Sequence, residues 1–224
     1  MIRHLPNFLT CCNLICGCLG VVFVLEGRAF HAAYFVWIAC VFDFLDGFAA
    51  RILKVSSPIG KELDSLADMV SFGLLPSLVM YKMIVSTNSP EVLPYLAFSI
   101  AVFSALRLAI FNVDTRQSDS FRGLPTPANA LMITALPLLS GTAAELLLSR
   151  WTLLSITLLS SYLMVSGIEL FALKFKNFSW QDNKIRFTFL LLSVLLLATL
   201  QLAAIPLIIL FYIVLSLGVR AVSK

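Results

Sequence analysis

Eight apolar runs, each close to the roughly 20 residues that an α-helix needs to cross bilayer hydrocarbon, divide this chain of 224 residues. They cover about 8–25, 31–51, 63–84, 92–113, 127–148, 152–173, 186–202 and 204–220. The expected fold is therefore all-α: a polytopic transmembrane helix bundle of about eight spans. Only Gln201 to Pro206 separates the last two short runs, so a bent pair of half-spans and a count of seven stay open. The chain is 60% hydrophobic and 12% charged, against about 25% charged in soluble domains. No polar stretch is long enough for a second domain, and residues 1–224 are expected to form a single transmembrane domain. The first run lacks a small-residue cleavage site and carries Asn7, Thr10 and Asn13, so it is expected to be retained rather than removed as a signal peptide.

The cations give the bundle a direction. With the amino terminus in the cytoplasm, the inner side holds twelve of them: Arg3, Arg51, Lys54, Lys61, Arg116, Arg122, Lys174, Lys176, Lys184, Arg186, Arg220 and Lys224. The outer side keeps Arg28, Lys82 and Arg150, with Arg107 inside a span. The positive-inside rule selects this orientation and puts both termini in the cytoplasm. A net charge of +4 then reflects topology and attraction to anionic lipid, not nucleic acid. Cys11, Cys12, Cys16, Cys18 and Cys40 lie in apolar runs and are expected to pack as small hydrophobes. Glu169 is expected to pair with Lys174 or Lys176, and His4 and His31 to sit at the interface.

Against this background four acids demand a function, because a charge at the bilayer centre costs roughly 3 kcal/mol. Asp43, Asp46, Gly47, Ala50, Arg51, Gly60, Asp64 and Asp68 follow the spacing D-x2-D-G-x2-A-R-x8-G-x3-D-x3-D. At helical periodicity Asp43, Asp46, Gly47 and Ala50 share one stripe, and Gly60, Asp64 and Asp68 share another. Two facing helices would pool four mutually repelling carboxylates. Two divalent cations remove that repulsion, and hard oxygen ligands without His or Cys favour Mg2+ or Mn2+. Such a pair suits displacement at phosphorus. The bland alternative is a solvated helix-end cluster, with the acids paired to Arg51, Lys54 and Lys61.

The spacing resembles the signature of the CDP-alcohol phosphotransferase family at every defining position. S-F-G-L-L-P at 71–76, R-L-A-x-F-N at 107–112 and F-x-G-L-P-T-P-A at 121–128 are similar to its bacterial serine-phosphatidyltransferase branch. The resemblance implies an integral membrane enzyme that takes CDP-diacylglycerol and L-serine and yields phosphatidylserine and CMP. It implies Asp43, Asp46, Asp64 and Asp68 as ligands of two Mg2+ or Mn2+ ions. Asp64 and Asp68 would be catalytic, with ligand and base roles shared. Gly47, Ala50, Arg51, Ser57 and Gly60 would border CDP-diacylglycerol, the missing side chain of Gly60 letting a bulky ligand approach the backbone. Asn7, Thr10 and Asn13 form a polar stripe on the first helix, read either as lining for that pocket or as a cap at Asn7 with Thr10 bonding its own backbone.

For the serine carboxylate the expected receptor is Arg107 or Arg122, with Asn112 as donor or acceptor to the same substrate. Glycerol 3-phosphate or inositol phosphate is the alternative acceptor, with Arg116 joining a denser basic pocket. A non-enzymatic cation carrier is the distant alternative. A homodimer in the cytoplasmic membrane of a prokaryote, with the active site facing the cytoplasm, completes the expectation.

Overall fold

The computed structural model describes residues 4–55, 57–113, 121–170 and 179–222. Arg3, Ser56, Arg116, Lys174, Lys176 and Lys224 lie outside the described residues, and with the two lysines goes the expected pairing of Glu169. Helices α1 (Leu5–Leu25) and α2 (Ala32–Leu53) come first, then α3 (Pro58–Asp68), a π-helical turn Met69–Leu74 and α4 (Leu75–Ser86). A 3-10 segment Leu93–Phe98 leads into α5 (Ser99–Val113), followed by α6 (Thr126–Ala135), the short α7 (Thr142–Leu147) and α8 (Arg150–Val165). Helices α9 (Trp180–Leu200) and α10 (Ile205–Val222) close the chain. Among the described residues the one departure from helix, turn and loop is a two-residue antiparallel bridge, Phe121–Arg122 against Glu169–Leu170.

The first helix is inside-out by the standard of a soluble protein. Its buried residues are Pro6, Thr10, Asn13, Cys16, Gly17, Gly20 and Val24, one stripe at helical spacing that is polar at one end and small at the other. Phe8, Ile15, Leu19, Val22 and Leu25 face outward. In lipid an exposed apolar side chain carries no hydrophobic penalty, so small residues that permit close approach take the interface. A Cβ on Gly17 would lie 2.6 Å from Ser71 Oγ, and one on Gly20 would lie 2.5 Å from Leu75 Cδ2. Thus α1 is seated directly on the π-turn and the start of α4.

Pro76 sits in the first turn of α4, directly after that π-turn. Proline lacks the amide hydrogen and crowds the carbonyl four residues back; wider π-helical winding accommodates both. Val36, Ala39, Phe72, Leu75 and Val79 form one core beneath α1 and α2, while Met80, Ile84, Ile100, Ile133, Leu153 and Met164 form another among α4, α5, α6 and α8.

Among the described residues, four stretches are long and apolar enough to cross a membrane: Leu5–Leu25, Pro58–Ser86, Leu93–Val113 and Asn183–Gly218. The expectation of one helix over 127–148 is corrected. α6 ends at Ala135, Pro137 lies in the 3-10 turn that follows, and Gly141 takes φ +85° before α7. The last stretch is not a straight rod either. Phe189 packs with its ring centroid 5.7 Å from Tyr212 and 6.1 Å from Phe211, residues that a continuous helix would separate by roughly 33 Å. The chain reverses at Gln201, whose φ is +53°, and α9 and α10 run antiparallel.

Candidate active site

The site is built where α1, α2 and α3 meet. α2 stops at Lys54, which adopts the left-handed conformation at φ +52°. Ser57 then starts α3: its extended backbone precedes Pro58 in the first turn, and its Oγ accepts from the Gly60 amide at 2.9 Å. This cap sets the register that runs Gly60, Asp64 and Asp68 along one face. Oxygens of Asp43, Asp64 and Asp68 all approach within 4.8 Å of one another.

Asp46 stands one turn from Asp43 on α2 and is oriented separately. Thr10 Oγ1 donates to Asp46 Oδ2 at 2.6 Å, while also lying 3.0 Å from its own-helix Pro6 carbonyl. One turn further along α1, Asn13 Nδ2 donates to Asp68 Oδ1 at 3.0 Å, and the Asn13 carbonyl accepts from Ser71 Oγ at 3.0 Å. The polar stripe therefore orients the acids of two other helices. Asn7 does not cap: His4 holds the N-cap position, and Asn7 Oδ1 lies 3.0 Å from where a Gly60 Cβ would stand.

Among the described residues no cation forms an ion pair with Asp43, Asp46, Asp64 or Asp68. Arg28 pairs with Glu26, away from the acids. Arg51 Nε donates to the Gly47 carbonyl at 3.0 Å, and Lys61 Nζ to the Asn112 carbonyl at 2.7 Å, so the helix-end cluster of paired acids is not what forms. Two carboxylates no more than 4.8 Å apart repel by at least about 3.5 kcal/mol at an effective dielectric of about 20, and Asp64 Oδ1 is buried without a hydrogen-bond partner. An all-oxygen, uncompensated cluster with an orphaned lone pair fits a hard divalent cation.

A cavity of about 1100 Å³ opens beside the cluster. Asn7, Thr10, Asp46, Gly47, Ala50, Arg51, Ser57, Gly60 and Asp64 line it. These include every residue expected at CDP-diacylglycerol except Asn13, which is buried against Asp68. The two glycines differ. A Cβ at Gly47 would meet nothing within 4 Å, whereas at Gly60 the space is already taken by Asn7 Oδ1 and Ser57 Oγ, each 3.0 Å away. Room for a ligand to reach backbone thus lies at Gly47. His4, Lys54 and Lys61 also line the cavity. The basic loop signals the two lysines; nothing in the spacing signals His4.

Arg107 sits elsewhere, 9% exposed. Its Nη1 donates to the carbonyls of Arg122 at 2.7 Å and Met164 at 2.8 Å, tying α5 to the segment before α6 and to the end of α8. Gly123, with φ +74°, allows this: a Cβ there would lie 2.4 Å from the Met164 carbonyl oxygen and 2.9 Å from Arg107 Nη1. The Arg122 side chain is exposed. Neither arginine is among the residues lining the cavity. Asn112 Nδ2 donates to Ser65 Oγ at 2.8 Å.

A helical membrane protein with a carboxylate cluster opening onto a cation-rimmed cavity defines a class, and comparison with known proteins names it. The CDP-alcohol phosphatidyltransferase family model matches residues 3–163. The chain belongs to that family and is an integral membrane transferase. It is 34% identical over 171 residues to a CDP-diacylglycerol–serine O-phosphatidyltransferase of Bacillus subtilis, covering 75% of this chain and 89% of that protein. A protein of the same name from Helicobacter pylori is 33% identical over 165 residues, 70% of this chain and 69% of its own length. The archaetidylserine synthase of Methanothermobacter thermautotrophicus is 33% identical over 168 residues, 74% and 68% of the two chains.

Proposed function

We propose that this chain transfers the phosphatidyl group of CDP-diacylglycerol to the hydroxyl of L-serine, giving phosphatidylserine and CMP. The observation that carries the reading is the convergence of Asp43, Asp64 and Asp68 beside a cavity that Asp64 lines together with Asp46, Arg51, Lys54 and Lys61. The relatives' names supply serine as acceptor.

Asp43, Asp46, Asp64 and Asp68 would hold two divalent ions, Mg2+ or Mn2+. Such ions, when bound, neutralise the pyrophosphate and stabilise charge developing on the leaving CMP. The protein's own groups do the rest. Arg51, Lys54 and Lys61 face the phosphates, and the open backbone at Gly47 admits the nucleotide. Asp64 and Asp68 share ligand and base roles; one of them takes the proton of the serine hydroxyl as its oxygen attacks the phosphorus bearing diacylglycerol. The bond from that phosphorus to the CMP oxygen breaks, and CMP departs through the cavity. Arg107, anchored through Nη1, would turn the rest of its guanidinium to the serine carboxylate together with Arg122. The membrane arrangement follows the cation distribution: about eight spans, the short and broken helices included, with both termini and the cavity mouth in the cytoplasm. The enzyme would act as a homodimer in the cytoplasmic membrane of a prokaryote.

The test is CMP release from purified protein with CDP-diacylglycerol, Mg2+ or Mn2+, and L-serine, glycerol 3-phosphate or inositol phosphate supplied separately. Release with serine alone, and its loss in Asp43→Ala and Asp64→Ala proteins that still insert, is expected. Release with another acceptor alone overturns serine; residual turnover in either variant overturns the ligand assignment.

A further inference from the structure

Two hydrogen bonds fasten the middle of α3 to the end of α5. Asn112 Nδ2 donates to Ser65 Oγ at 2.8 Å, and Lys61 Nζ donates to the Asn112 carbonyl at 2.7 Å. Ser65 follows Asp64 directly and Lys61 precedes it by one turn, so both bonds grip the turn that carries Asp64. We propose that Asn112 is a positioning residue that clamps this turn of α3, holding Asp64 in register with Asp43 and Asp68, rather than a contact of the acceptor. This rests on the reading of those acids as the reaction centre.

Three features of the molecule support it. The Asn112 amide nitrogen donates to Ser65 Oγ, and its side-chain oxygen would repel a carboxylate. α3 begins at a break, Ser57-Pro58, with its own cap as its local support, and Ile59 and Leu66 point outward. At the other end of α3, Asn13 holds Asp68. Asp64, between them, has an oxygen with no partner and depends on the helix for its placement.

The experiment compares Asn112→Ala, Ser65→Ala, the double variant and Asn112→Asp in purified full-length protein. Readouts are kcat, KM for serine, and the Mn2+ concentration giving half of the maximal thermal stabilisation, which needs no substrate. Losing a group that orients a metal ligand typically costs about 10- to 100-fold in affinity or activity. The clamp predicts a fall of that order in kcat for both alanine variants, a rise of about tenfold in the Mn2+ requirement, and KM for serine within about twofold. The double variant should be no worse than either single one, because both remove the same bond. Asn112→Asp should recover most of the activity, since the Ser65 hydroxyl can donate to the new carboxylate. A raised KM for serine with kcat and Mn2+ requirement unchanged, or Asn112→Asp worse than Asn112→Ala, overturns the clamp. If the wild type ignores serine but is stabilised by Mn2+, the proposed acceptor fails while the Mn2+ arm still decides the clamp. If Mn2+ does not stabilise the wild type, the clamp falls with the reaction centre.

Discussion

Replacing Gly17 with alanine should slow turnover far more than it unfolds the protein. The new Cβ would lie 2.6 Å from Ser71 Oγ, 2.9 Å from Ser71 Cα and 3.0 Å from Ser71 N. Two of those atoms are backbone and cannot rotate away. Restoring an ordinary carbon–carbon contact of about 3.5–4.0 Å moves α1 off the π-turn by roughly 0.6–1.1 Å. Overpacking of this kind costs about 1–3 kcal/mol, and alanine returns about 1 kcal/mol over glycine in helix propensity. The net loss is about 0–2 kcal/mol, a drop of a few degrees in the denaturation midpoint at roughly 2–4 °C per kcal/mol. The same displacement lengthens the Ser71–Asn13 and Asn13–Asp68 hydrogen bonds, both now 3.0 Å, and shifts Asp68 against Asp43 and Asp64. A misplacement of about 1 Å at a reacting group costs on the order of 100-fold in rate. CMP release and thermal denaturation in the same detergent measure both quantities. Turnover within about threefold of wild type would refute the argument that α1 sets Asp68 through this contact.

Thr10→Val keeps the shape and removes the donor to Asp46, a bond to a charged group worth about 1.5–3 kcal/mol. It should lower kcat/KM for CDP-diacylglycerol by about 10- to 100-fold in an initial-rate titration. Gly47→Leu projects into the cavity where a Cβ meets nothing within 4 Å; KM for CDP-diacylglycerol should rise severalfold with the denaturation midpoint unchanged. Chelation should abolish turnover, and Mn2+ at about 100 times its dissociation constant should stabilise the protein by about 2.7 kcal/mol. In a melting experiment that stabilisation should vanish in Asp43→Ala.

The acids were legible in the sequence because helical periodicity is local: Asp64 and Asp68 must share a face wherever α3 lies. Their partners were not. Thr10 meets Asp46 across 36 residues and Asn13 meets Asp68 across 55, distances in sequence at which no periodicity speaks. Gly60 shows the same limit, since glycine announces a close approach without saying whether ligand or protein makes it. Here Asn7 and Ser57 make it. The roles expected of Arg107 and Asn112 were drawn from chemistry alone, and the carbonyls that Arg107 holds belong to segments 15 and 57 residues away.

The sequence by itself determined the class of fold, the acidic pattern and the family, because hydropathy, helical spacing and motif are properties of short stretches. Only the tertiary structure decided that α1 lies against both acid-bearing helices, that three carboxylates converge while Thr10 holds the fourth, and that Gly47 rather than Gly60 opens the cavity. It also decided that α6 and α7 break one expected span and that α9 turns back on α10. Each of these depends on which small residue lets which backbone approach, and that pairing exists only once the helices have packed.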